Sequence, residues 1–126
     1  SAAGRRILLL SINEQEVPLL SQLFAYSLLI HQHPTEFLGY LNARETLLAC
    51  QALDAKIIVL LGYGELNAAS AQLHLASLLE KTSAPILVVG EAARTISALG
   101  TVGKSAVALC TSQQQAVMHI NQLLNE

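Results

Sequence analysis

The sequence predicts a doubly wound α/β fold, a parallel sheet covered by helices on both faces, and three observations carry that expectation. Five short apolar runs, at residues 6–11, 36–40, 56–61, 85–89 and 105–109, recur along the 126-residue chain. Each is followed by a stretch with helical spacing, the alternation that builds parallel βα units. Apolar residues make up 52% and charged ones only 13%, against roughly 25% charged in an average soluble domain. A sheet buried on both faces needs that balance.

The elements follow in order. Ile7-Leu8-Leu9-Leu10 is an unbroken apolar run, the mark of a strand covered on both sides. Pro18 falls in the first turn of a helix expected over 16–30, where its missing N–H costs little. Leu19, Leu20, Leu23, Phe24 and Leu28 give that helix an apolar stripe. His31-Gln32-His33-Pro34 ends it, because the residue before a proline avoids the α region. A second strand is expected over 36–40, then a helix over 43–53 capped by Asn42. The run 57–61, rich in β-branched residues, is expected to be the central strand. The glycine-flanked loop Gly62-Tyr63-Gly64-Glu65 follows it, and Asn67 caps a helix reaching about 81. A fourth strand over 86–89 leads through Gly90 into a short helix over 91–98. Residues 100–103 read as a loop, 105–109 as the fifth strand, and Thr111 or Ser112 as the cap of a last helix over 113–125. Five such units match a flavodoxin-like sheet of strand order 2-1-3-4-5.

Composition bounds the function. The length suits one domain; it starts at residue 5, after Ser1-Ala2-Ala3-Gly4, which reads as an expression scar or linker on a piece of a longer protein. Net charge is −2 and the seven Lys and Arg are scattered. Phosphate binding needs a clustered basic face, so this segment is not expected to bind nucleic acid itself. The apolar run 57–61 is far short of the roughly 20 residues of a membrane span, and no secretory signal is visible. Cys50 and Cys110 fall in a predicted helix and strand, and read as small buried hydrophobes of a reducing, cytoplasmic compartment. Too few charges remain to cover the helices around 19–30 and 73–79, which predicts self-association or a docked partner.

In the order 2-1-3-4-5 the switch point lies between the first and third strands, where ligands bind at the carboxyl ends. The expected ligand residues are Asn13, Glu14, Gln15, Tyr63, Gly64 and Glu65, with Gly90 at the edge. The glycines let backbone approach a ligand, and Tyr63 offers a flat apolar face with a polar tip. Reactive chemistry is sparse. A receiver phosphorylation site needs an aspartate ending the third strand, and Asp54, the one Asp in the chain, precedes it. The loop after the first strand, Ser11-Ile12-Asn13-Glu14-Gln15, lacks the glycines of a dinucleotide site. His31 and His33 lie at the opposite end of the sheet and read as a solvated loop. His74 and His119 are single residues within helices, expected at the surface or partly packed. Glu14 and Glu16 can serve as acid and base, or complement the dipole of the following helix. The balance points to a noncatalytic domain. The rival is a small flavodoxin-like enzyme or nucleotide-binding protein using Glu14 or Glu65.

Three segments carry a family resemblance. They are the strand, polar loop and Leu-rich helix of 7–20; the helix end Ala52-Leu53-Asp54-Ala55-Lys56 before Ile57-Ile58-Val59-Leu60-Leu61; and Ala84-Pro85-Ile86-Leu87-Val88-Val89-Gly90-Glu91-Ala92 followed by Ala98-Leu99-Gly100. With them, residues 6–122 resemble a cobalamin-binding-type domain, above all the C-terminal sensory module of MerR-family transcriptional regulators. Members that bind cobalamin carry acidic-x-His-x-x-Gly after the first strand, and here that register reads Asn13-x-Gln15-x-x-Pro18. The cobalt ligand is replaced by Gln15 and the clearance glycine by Pro18. Tyr63 stands in the family's small Ser-containing segment, where it crowds a cofactor tail, and the later Gly-Gly pair is reduced to Val89-Gly90. The resemblance therefore implies a bacterial regulatory domain over 5–126 that keeps the scaffold without cobalamin or a metal. Its expected partners are a small-molecule effector or a regulatory protein, with homodimerisation, and DNA only through an upstream domain.

Overall fold

Five strands run parallel through the centre of the molecule, in the order the spacing predicts. The computed structural model describes residues 6–14, 18–96, 101–102 and 105–125. In chain order the elements are β1 (Arg6–Ser11), α1 (Pro18–Ile30), β2 (Thr35–Phe37), α2 (Ala43–Leu53), β3 (Ala55–Gly62) and α3 (Ala68–Lys81). They continue with β4 (Ile86–Gly90), α4 (Glu91–Thr95), β5 (Thr101–Val102), β6 (Ser105–Cys110) and α5 (Gln113–Leu124). The sheet order is β2-β1-β3-β4-β6-β5. All pairs are parallel except β5 with β6, so β2-β1-β3-β4-β6 is the flavodoxin-like 2-1-3-4-5 arrangement.

Strand alternation sends successive side chains to opposite faces, and two cores result. On one face Leu8, Leu10, Ile58, Leu60, Ile86 and Val88 pack under Ala71, Leu75 and Leu78 of α3, Ala92 of α4 and the inner side of α2. On the other, Ile7, Leu9, Ile57, Val59, Leu87 and Val89 meet Phe24 and Leu28 of α1 and Ala116, Ile120 and Leu124 of α5. Burial on both faces is why these strands read as continuous apolar runs.

The caps fall where the side-chain chemistry places them. Asn42 accepts from the Glu45 backbone N–H at 2.8 Å while the Asn42 N–H donates to Glu45 Oε1 at 3.0 Å, a reciprocal capping box. Asn67 accepts from Ser70 N–H at 3.0 Å, and Ser112, rather than Thr111, accepts from Gln115 N–H at 3.1 Å. Asn42→Ala removes the side-chain acceptor of its box, leaving the backbone bond to Glu45, and is expected to cost about 1 kcal/mol. Asn67→Ala likewise loses one side-chain cap bond and should cost a similar amount; urea denaturation of the two variants checks this.

Most boundaries fall within two residues of expectation, and three features depart further. The ladder of β2 stops at Phe37, not residue 40, because Gly39 turns to φ +70. Single bonds from Leu38 N–H to Leu9 O and from Ser11 N–H to Gly39 O still tie that segment to β1. Helix α4 ends at Thr95 because Ile96 is extended and turns its side chain into the core; residues 97 and 98 of the predicted helix lie outside the described residues. The predicted loop over 100–103 contains a short strand, Thr101–Val102, antiparallel to the start of β6. Both residues are β-branched, which suits an edge pairing. Among the described residues no helix is long and apolar enough to cross a membrane.

Candidate functional site

The carboxyl ends of the strands converge on one rim, and β1, β3 and β4 end there at Ser11, Gly62 and Gly90. Beside it, on the α2–α3 side of the sheet, lies a cleft of about 360 Å³. Ile12, Asn13 and Glu14 line it from the loop after β1, and Tyr40 from the segment after β2. Glu65 comes from the loop after β3, and Asn67, Ser70, Ala71 and His74 from the start of α3. Positions 67, 70, 71 and 74 are spaced to lie along one side of a helix, so the Asn67 cap fixes which side of α3 faces the opening.

His74 is the informative group. Its Nε2 is buried and has no hydrogen-bond partner among the described residues, while its ring packs on Tyr40 with centroids 5.0 Å apart and planes tilted by 43°. Burial pushes its pKa below the ordinary histidine value, so the imidazole is neutral at neutral pH. Depending on tautomer, Nε2 offers one unused donor or acceptor. Glu14 and Glu65 are exposed on the same lining, which includes no Lys or Arg among the described residues. The cleft is therefore lined by two exposed carboxylates and by a tilted tyrosine–histidine pair whose imidazole Nε2 is buried without a partner among the described residues.

The lowered pKa has a consequence for stability. The unfolded chain takes up the His74 proton near pH 6.5, whereas the folded imidazole resists protonation. The contribution of this group is therefore complete above that pH and is lost as pH falls below it. The melting temperature should drop more steeply between pH 7.5 and 5.5 in the wild type than in His74→Gln; parallel pH profiles would rule out this linkage.

The predicted ligand residues divide into two groups. Asn13, Glu14 and Glu65 meet at the cleft. Tyr63 lies on the α1–α5 side of the sheet, packed against that core, with its hydroxyl accepting from Gln113 Nε2 at 3.3 Å. Its partial burial raises the phenol pKa, and the Gln113 bond offsets this in part. Gly90 lies beneath Tyr63: a Cβ there would sit 3.1 Å from the tyrosine ring. Gly64 is an exposed turn residue at φ +78 with open space around it. Gln15 lies outside the described residues, as do Glu16 and residues 1–4. Tyr40, Ser70 and His74 were not expected at the site. The spacing from the Asn67 cap was the signal for the last two, whereas nothing in the sequence marked Tyr40.

The remaining chemistry is structural. His33 Nε2 and Asn121 Oδ1 lie 2.8 Å apart, joining the segment after α1 to α5. His31 and His119 are exposed. Cys50 and Cys110 are free thiols; burial pushes Cys50 up to about 11 and Cys110 above its usual value, so neither is a ready nucleophile. No group of three metal-ligating side chains occurs among the described residues. No protein-family model matches the chain, and neither a curated protein nor a solved structure matches it.

Proposed function

We propose that this chain is a noncatalytic regulatory domain whose switch-point cleft receives a small polar effector, in a bacterial transcriptional regulator of the MerR type. The observation that carries the reading is His74, whose buried Nε2 has no partner among the described residues, lining a cleft in the place where this fold binds ligands. A buried polar atom without a partner is costly, and a ligand that completes its bonding gains what the apo site lacks. Two carboxylates with no Lys or Arg among the described lining residues favour a ligand carrying a positive charge or several donors, and the Tyr40–His74 pair offers a stacking surface. An effector of this kind acts by binding one arrangement of the full regulator better than the other. DNA contact belongs to a domain upstream, and the cytoplasm is its place of action.

Cobalamin does not fit these residues. The Tyr63 ring fills the space over Gly90 between the ends of β3 and β4, where a buried nucleotide tail would pass, and Gln15 and Pro18 replace the two motif residues. Titration with hydroxocobalamin should leave no corrin absorbance on the protein after desalting. Stoichiometric retention would contradict the assignment.

A thermal-shift panel of primary amines, amides and carboxylic acids tests the effector reading. Amines should raise the melting temperature of the wild type and lose that effect in His74→Phe, while carboxylic acids should do nothing. Equal shifts in both proteins would move the site elsewhere. One observation favours a second reading, an enzyme or nucleotide-binding protein of the same fold: an imidazole lines the same cleft as Glu14 and Glu65. That reading requires turnover of a bound compound that stops in His74→Phe.

A further inference from the structure

The two helices on one face of the sheet, α1 and α5, contain no Asp, Glu, Lys or Arg, while those on the other face carry Arg44, Glu45, Glu80, Lys81, Glu91 and Arg94. The difference is sharpest on α1. Its inner side buries Ser21, Phe24 and Leu28. Its outer side is apolar too: Leu19 is 66% exposed, Tyr26 65% and Ile30 61%, with Leu23 and Leu29 above half. A helix apolar all round belongs in an interior, yet nothing among the described residues covers the outer side of α1.

We infer that α1 is a dimer interface, packing against α1 of a second copy of this chain. Leu19, Leu23, Tyr26 and Ile30 follow steps of four, three and four residues, the spacing of a seam in which each side chain enters a hole on a like helix. Leu20 and Leu29 flank the seam, and the exposed Met118 extends the face onto α5. Together they present on the order of 700 Å² of apolar surface, close to the ~800 Å² each partner buries in a standard interface. Two-fold symmetry brings each patch against itself, so a charged face would oppose like charges; a face without charge meets no such penalty. A partner that matches it presents an uncharged apolar face, and α1 of a second copy supplies one at the concentration of the protein. With no Lys or Arg to meet lipid headgroups, α1 lacks the polar face of a membrane-surface helix. The inference stands independently of the effector cleft.

Sedimentation velocity on the full chain, from micromolar to several hundred micromolar, tests it. The wild type should be a concentration-dependent dimer. Leu23→Lys and Leu23→Glu, each placing a charge in the middle of the seam, should weaken association at least 100-fold with far-UV circular dichroism unchanged. Mixing these two variants should restore a heterodimer, which a merely unfolded mutant cannot do. The inference is overturned by a monomeric wild type at every concentration, by a dimer that survives both substitutions, or by co-sedimentation of the monomer with phosphatidylcholine vesicles.

Discussion

Gly90→Ala is expected to destabilise the protein by about 3 kcal/mol or more, a large share of the 5–15 kcal/mol that holds a domain of this size. Two effects add. Gly90 sits at φ +99, ψ −153, a region essentially restricted to glycine, where another residue costs on the order of 1–3 kcal/mol. The added methyl would also lie 2.7 Å from the Gly62 carbonyl oxygen and 3.1 Å from the Tyr63 ring. The tyrosine can swing away, but the carbonyl belongs to the central strand, held by neighbours on both sides. Gly64→Ala is the control: its φ is +78 with nothing within contact distance, so it carries conformational strain alone, about 1 kcal/mol. Urea denaturation should separate the two variants by a wide margin. A Gly90→Ala loss no greater than that of Gly64→Ala would mean that the rim is not packed as described.

Phe24→Ala should cost about 3–5 kcal/mol. Phe24 is fully buried and, with Leu28, is the main anchor of α1 on the core formed by Ile7, Leu9, Ile57 and Val59. Close-packed interiors do not collapse freely into the space a lost ring leaves. Leu23→Ala, one residue away on the outer side, should change the stability of the monomer by no more than about 0.5 kcal/mol. At concentrations where dimers form, its apparent loss should grow, because association stabilises the folded chain by mass action. Chemical denaturation at low and high protein concentration measures both. Similar losses at the two positions in dilute solution would show that α1 does not present the sides described.

The fold was legible because burial on both faces leaves a simple record. Continuous apolar runs such as 7–10 and 57–61 can only be covered strands at that length, and Asn42, Asn67 and Ser112 announce helices through their caps. Where local chemistry competes, the reading slipped: Gly39 bends the chain out of the β2 ladder, and the weak pairing of Thr101 and Val102 was hidden among glycines. The cleft was legible in position through topology, which placed Asn13, Glu14 and Glu65 at the switch point. Its contents were not. Tyr63 looked like part of the site because it follows β3, but strand alternation turns it to the α1–α5 side. Tyr40 and His74 come from segments far apart in sequence, and only the packing of α3 beside the segment after β2 brings their rings together.

A ¹H–¹⁵N NMR titration with benzylammonium tests at single residues our proposal that a small polar effector occupies the cleft beside His74. The probe pairs a cation for Glu14 and Glu65 with a ring for the Tyr40–His74 surface. Saturable shifts should concentrate at 12–14, 65–74 and Tyr40, with a change at the His74 imidazole nitrogens, and benzoate at equal concentration should cause none. Shifts centred instead on Tyr63 and Gln113, or produced equally by benzoate, would contradict the account.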